Sequence, residues 1–210
     1  MTPTVPTVDA LRPPSPAIPD RAMPTFLILA AREIREGFRN RWVLATTLLL
    51  AALALTLALL GSAPTGSVGA NRLDVVTVSL ASLTIFLVPL IALLLSHDAI
   101  AGEAERGTLL LLLAYPVRRT AVVFGKFAGQ LAILAFATTL GYGAAALAVG
   151  WNLGAAAWAA FAAMVGASIL LGGVFLALGL LASTLVRQRS TAGGIAIGLW
   201  LLFVLLYDMA

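Results

Sequence analysis

Of 210 residues, 61% are hydrophobic and only 10% are charged, and the mean hydropathy is +1.03. A soluble domain carries about 25% charge, so composition excludes an ordinary soluble enzyme or binding module. With no cysteine, neither a disulfide framework nor a thiolate metal site can form. The net charge of +4 follows from where the arginines stand around apolar runs and gives no reason to expect nucleic acid as a partner.

Residues 1–24 hold seven of the ten prolines and no hydrophobic run. A proline-rich polar tail of this kind cannot bury enough surface to order itself, and it lacks the apolar region of a signal peptide. From Thr25 to Arg41 the pattern becomes amphipathic: Leu27, Ala31, Ile34 and Phe38 recur at helical spacing, with Arg32, Glu33, Arg35, Glu36 and Arg39 on much of the opposite side. Such a helix is expected to lie in the membrane interface, with an Arg32–Glu36 pair one turn apart.

Membrane spans are expected at about 42–60, 75–95, 127–150, 155–185 and 191–209, each near or above the roughly 20 apolar residues a bilayer needs. Pro89 should disturb the second span near its end. Twelve of the thirteen lysines and arginines fall in the N-terminal segment and in the second and fourth loops, against Arg72 alone on the other side. This places the N-terminus and those loops in the cytosol. Trp42, Trp151 and Trp158 fall near the expected interfaces.

The second loop, 97–119, is the most informative segment. From His97 to Lys126 there are three acidic and four basic side chains, whereas Val75 to Ser96 has none. Within it, Leu109 to Leu113 rise only about 7.5 Å as helix, far short of the roughly 30 Å of a bilayer core. A short apolar helix bracketed by charge must bury itself sideways, against a partner protein or the membrane surface.

The run Glu103-Ala-Glu105-Arg-Gly107-Thr108-Leu109-Leu-Leu-Leu112-Leu113-Ala-Tyr-Pro116-Val117 resembles the segment after the second membrane helix in permeases of type-2 ATP-binding-cassette exporters. The wider chain, from about Pro24 onward, is most similar to the NosY-type branch, the membrane subunit of the transporter used in maturing nitrous oxide reductase. Supporting pieces are Arg35 to Trp42, Phe86 to Leu95 and Gly198 to Asp208. The chain departs from the family at Leu110, where a polar or acidic residue is common. The resemblance implies an all-α polytopic fold with an elbow helix carrying Arg32, Arg35, Phe38 and Arg39. It also implies a cytosolic coupling segment in which Glu103, Glu105, Gly107, Thr108, Leu109, Leu112, Leu113 and Pro116 meet an ATPase. The implied partners are two copies of that ATPase, a second permease copy and a periplasmic accessory protein. A sixth span is expected in the full-length family, and translation from Met23 would fit where the resemblance begins.

No Gly-x-x-x-x-Gly-Lys-Ser/Thr loop is present in the sequence, so ATP and magnesium are expected on the partner and no cofactor or catalytic residue in this chain. His97 is the only histidine, and the four methionines are scattered. The chain's own residues thus give no support to copper passage. Gly125, Gly129, Ala137, Gly141 and Ala145 share a helical face, as do Gly194 and Gly198; both suit close helix packing, within the chain or across a homodimer seam. Asp208, about 25 Å up the last helix, is a candidate outer-gate residue or an interfacial one. Two function classes follow: a transport permease driven by a separate ATPase, or a membrane anchor or scaffold without ATP-driven movement. Within the first, the cargo is a sulfur-containing or copper-related precursor, or else drugs, lipids or ions.

Overall fold

The structure is a computed structural model that describes residues 25–39, 41–60, 72–109, 118–149 and 155–209. Among these residues there are helices and connecting turns and no strand: α1 (Thr25–Arg39), α2 (Arg41–Leu60), α3 (Arg72–Ser96), α4 (Ala101–Glu105), α5 (Arg119–Val149), α6 (Ala155–Leu185) and α7 (Arg189–Asp208). Among the described residues, four stretches are long and apolar enough to cross a membrane: Leu80–Glu105, Arg119–Leu147, Trp158–Leu185 and Arg189–Asp208; Thr47–Thr56 of α2 is a shorter apolar one. At 31 residues each, α5 and α6 run about 46 Å and must tilt or project beyond the hydrocarbon.

The main packing pairs are α3 with α6, and α5 with both α1 and α2; α7 lies against α3 and α6. Leu80, Val88, Leu93, Leu134, Tyr142 and Leu176 form the buried centre. It carries one polar cluster, in which Thr84 Oγ1 and Tyr142 OH lie 2.7 Å apart and Ser168 Oγ reaches Thr84 Oγ1 at 3.4 Å. Thr84 and Ser168 also donate back to the carbonyls of Leu80 and Met164, so these two hydroxyls are satisfied within their own helices. The α3 helix continues through Pro89. Proline removes the bond to the carbonyl four residues earlier. One residue from that carbonyl, Trp200 Nε1 donates to the Phe86 carbonyl at 2.9 Å, tying α7 to α3.

Two sequence expectations are corrected, the start of the third span and the outward placement of Glu33. The third span does not begin after Lys126: Arg118 O accepts the N–H groups of Ala121 and Val122, so α5 starts at Arg119 and Lys126 lies two turns inside it. The polar side of α1 is not turned outward throughout. Leu29, Ala30, Glu33 and Gly37 face α5, while Leu27 and Phe38 are exposed. The reason lies in α5, where Gly129 leaves a trough. A Cβ there would stand 2.5 Å from Glu33 Cβ and 3.0 Å from the Ala30 carbonyl. Glu33, read as part of the polar face, is therefore turned inward. Of the two packings open to the small face of α5, the one within the chain is present, with α1 at Gly125 and Gly129 and Leu50 and Ala51 of α2 at Gly141. That face is not free to serve as a seam between copies. Open space does remain at Gly194 and Gly198 of α7.

Candidate functional site: a charged knot at one end of the bundle

The chain leaves α3 through a tight turn, with His97 N–H bonded to the Leu93 carbonyl and Ala99 N–H to that of Ser96. His97 Nδ1 lies 2.9 Å from the Leu94 carbonyl, and its ring packs near Gly193 of α7. The short α4 has no side-chain cap of its own at Ile100. Ser183 of α6 supplies one from outside: its Oγ accepts the N–H groups of Ile100 at 3.0 Å and Ala101 at 2.9 Å. These are two of the donors a helix start leaves unpaired. The fully buried Ser183 thus fixes the turn to the end of α6.

Two acidic residues then hold the start of α7. Asp98 Oδ2 pairs with Arg189 Nε at 2.9 Å, and Glu105 Oε2 accepts the Arg189 N–H at 2.9 Å. A carboxylate at a helix N-terminus is favoured by the helix dipole as well as by the hydrogen bond. Gly107 closes α4 with φ of +73°, a conformation that side chains other than glycine rarely adopt. Nothing would crowd a Cβ there, so the glycine serves the turn and not a close approach. Thr108 Oγ1 donates back to the Glu103 carbonyl at 3.2 Å.

The centre of the knot is Lys126, 6% exposed. Its Nζ lies 2.8 Å from Glu103 Oε1 of α4 and 3.2 Å from Glu33 Oε1 of α1. One lysine thus ties the amphipathic helix, the loop and α5 together. A buried ammonium demands such partners, because leaving it unpaired costs several kcal/mol by desolvation, of the order of 3–5 kcal/mol. Two carboxylates share one cation, and Glu103 Oε2 is buried without a hydrogen-bond partner among the described residues. Glu33 carries the consequence. Burial pushes its carboxyl above the ordinary range, with repulsion from Glu103 and Glu36 adding to this and Lys126 opposing it. Beside the triad is a cavity of about 310 Å³ whose wall includes Glu36, Asp98, Arg106 and Arg189.

The structure therefore brings Glu103, Glu105, Gly107 and Thr108 into one turn. The Glu103 carboxylate is directed inward, with Oε1 on Lys126. Leu109 follows, partly buried; Leu112, Leu113 and Pro116 lie outside the described residues. On α1, Arg32 pairs with Glu36 at 2.7 Å, Arg35 and Arg39 are exposed, and Phe38 meets Phe136 of α5 edge-on at 5.0 Å between centroids. Asp208 ends α7 and is exposed, far from the knot along the helix. Sequence reasoning missed Glu33, Asp98, Ser183 and Arg189 as members of this site. The one available signal was Lys126 itself, a single cation set among Phe124, Gly125, Phe127 and Gly129.

The family described as ABC-2 family transporter protein matches residues 27–210. Two curated relatives, each described as a probable ABC transporter permease protein NosY, are 48% identical to the chain. The one from Stutzerimonas stutzeri aligns over 186 residues, 86% of this chain and 67% of its own length. The one from Pseudomonas aeruginosa aligns over 192 residues, 90% and 70%. With spanning helices, a charged loop at one bundle end and this identity over most of its length, the chain belongs to the ABC-2 transporter family as a membrane permease subunit.

Proposed function

We propose that this permease exports a sulfur-containing or copper-related precursor for maturation of periplasmic nitrous oxide reductase, driven by a separate ATP-binding-cassette ATPase on its cytosolic side. The cargo reading rests on the NosY-type resemblance. The coupling reading rests chiefly on one observation, the Glu33–Lys126–Glu103 triad. Force applied to the loop can pass through Lys126 to α1 and α5, through Ser183 to α6, and through Asp98 and Glu105 to α7. A passive anchor has no use for a loop bound to that many helices. Leu109, Leu112 and Leu113 then form the apolar ridge that docks in a groove on the ATPase, with Pro116 ending the helix. ATP and magnesium belong to the partner.

The test is reconstitution with the cognate ATPase in inverted vesicles, offering thiol compounds and copper as separate cargoes. ATP-dependent accumulation of one of them, lost in Leu112→Asp, is expected. A charge in that ridge must be desolvated on docking, which costs several kcal/mol. Normal accumulation and normal complex recovery in Leu112→Asp would remove the coupling role. Uptake of neither cargo, with ATP hydrolysis still stimulated by other compounds, would favour an exporter of drugs, lipids or ions.

A further inference from the structure

A second cavity lies along another face of α5 from the triad. It is an apolar groove of about 460 Å³ between α5 and α6, lined by Val123, Phe124, Phe127, Leu180, Leu181 and Thr184 among others. Phe124 is 65% and Leu181 55% exposed, so the groove opens on the outer surface of the bundle. Its polar end is basic. Arg119 opens α5 one turn before Val123, Arg118 precedes it, and Arg187 follows Thr184 by three residues beyond the end of α6. All three are exposed, and none forms an ion pair among the described residues, unlike Arg32, Lys126 and Arg189. The start of a 31-residue helix adds the positive end of its dipole at the same place.

We infer that this groove is a binding site for an anionic phospholipid from the leaflet at the charged end of the bundle. The acyl chain lies against Phe124, Phe127 and Leu181, and the headgroup phosphodiester is held by Arg118, Arg119 and Arg187. Charge complementarity decides the occupant. An anionic headgroup matches the three unpaired cations at its mouth, which a zwitterionic one does less well. A second protein copy would have to bury them. Guanidinium groups also match phosphate oxygens in a bidentate manner that ammonium groups cannot. Basic pockets between membrane helices on the side facing anionic lipid are suited to this recognition.

The experiment uses the full chain carrying Phe124→Trp in phosphatidylcholine nanodiscs, with the unsubstituted chain as baseline. Quenching of the added indole is measured with acyl-brominated phosphatidylglycerol and with acyl-brominated phosphatidylcholine. A preference for phosphatidylglycerol is expected, falling about fivefold for each of Arg119→Gln and Arg187→Gln, and weakening with added salt. Arg119→Lys and Arg187→Lys should keep part of it, since charge remains and bidentate geometry is lost. Glycerol phosphate and inorganic phosphate, which lack the chain, should not displace the brominated lipid; displacement by either would reduce the site to a phosphate patch and overturn the lipid assignment. Equal quenching by both lipids would make the groove ordinary lipid-facing surface. Absence of quenching by either, with cross-linking of cysteine introduced at Phe124 to a second copy, would assign the groove to a protein interface.

Discussion

At the scale of single residues, Lys126 is the position on which most depends. Lys126→Ala would leave Glu33 and Glu103 facing each other in a poorly hydrated site, and should destabilise the chain by about 3–5 kcal/mol. Thermal unfolding in detergent checks this. Changing all three together, Lys126→Met with Glu33→Gln and Glu103→Gln, should recover most of the loss because no charge is then stranded. If the triple variant is as unstable as the single one, packing and not charge explains the effect. Glu33 gives a pH signature. Its carboxyl lies above the ordinary value of 4.5 in the folded chain, so the folded state holds the proton more tightly than the unfolded one. The resulting stability is fully present below the ordinary value and is lost as pH rises through the raised one. The charged groups facing it are Lys126, Glu103, Glu36 and Arg32. Glu33→Gln removes the titration, so the unfolding midpoint of the variant minus that of the parent should rise with pH across this window. A flat difference would show that Glu33 does not titrate there.

At the scale of elements, the contact between α1 and α5 depends on Gly129 more than on the apolar stripe of α1. Gly129→Leu cannot fit without separating the two helices and pulling Glu33 from Lys126, and should cost about 1–3 kcal/mol or more. Gly194→Leu meets open space, and should change stability by less than about 0.5 kcal/mol. Comparing the two unfolding midpoints separates a packing glycine from a permissive one. The same contact shows what could be read from sequence and what could not. The long apolar runs of α5, α6 and α7 are local patterns, and hydropathy alone marks them. The rotation of α1 is not local. Its stripe of Leu27, Ala31, Ile34 and Phe38 marks a face for the membrane interface. It does not show which side turns inward, because that side is chosen by a glycine trough and a buried lysine 93 positions further along. The cap that Ser183 gives to α4 joins residues 82 and 83 positions apart, and no spacing rule points to it.

At the scale of the whole molecule, the helices are covered unequally. Among the four long stretches, α7 is the least buried, with Ile197, Leu201, Leu205 and Leu206 exposed along it. Its small residues Gly194 and Gly198 have no neighbour close enough to touch an added Cβ. Lipid can cover such a surface. The proposed paired transporter would cover it with a second permease copy, since small residues on an open face let two helices approach closely. With the α5 face closed by α1 and α2, α7 is the place where a pair would form. The expected particle is two permeases with two ATPases, held on the ATPase side by α1 and the loop after α3. The chain contains no cysteine, so an introduced thiol reports without background. Ile197→Cys and Leu201→Cys should each give a cross-linked dimer in native membranes on mild oxidation, since a disulfide needs Cα atoms within about 7 Å. Phe136→Cys, on the far side of the bundle against Phe38, should remain monomeric. Cross-linking from Phe136 but not from α7 would place the seam elsewhere. Cross-linking from neither, together with recovery of a lone permease that transports its cargo without any ATPase, would leave the α7 surface to lipid and end the proposal of a paired transporter.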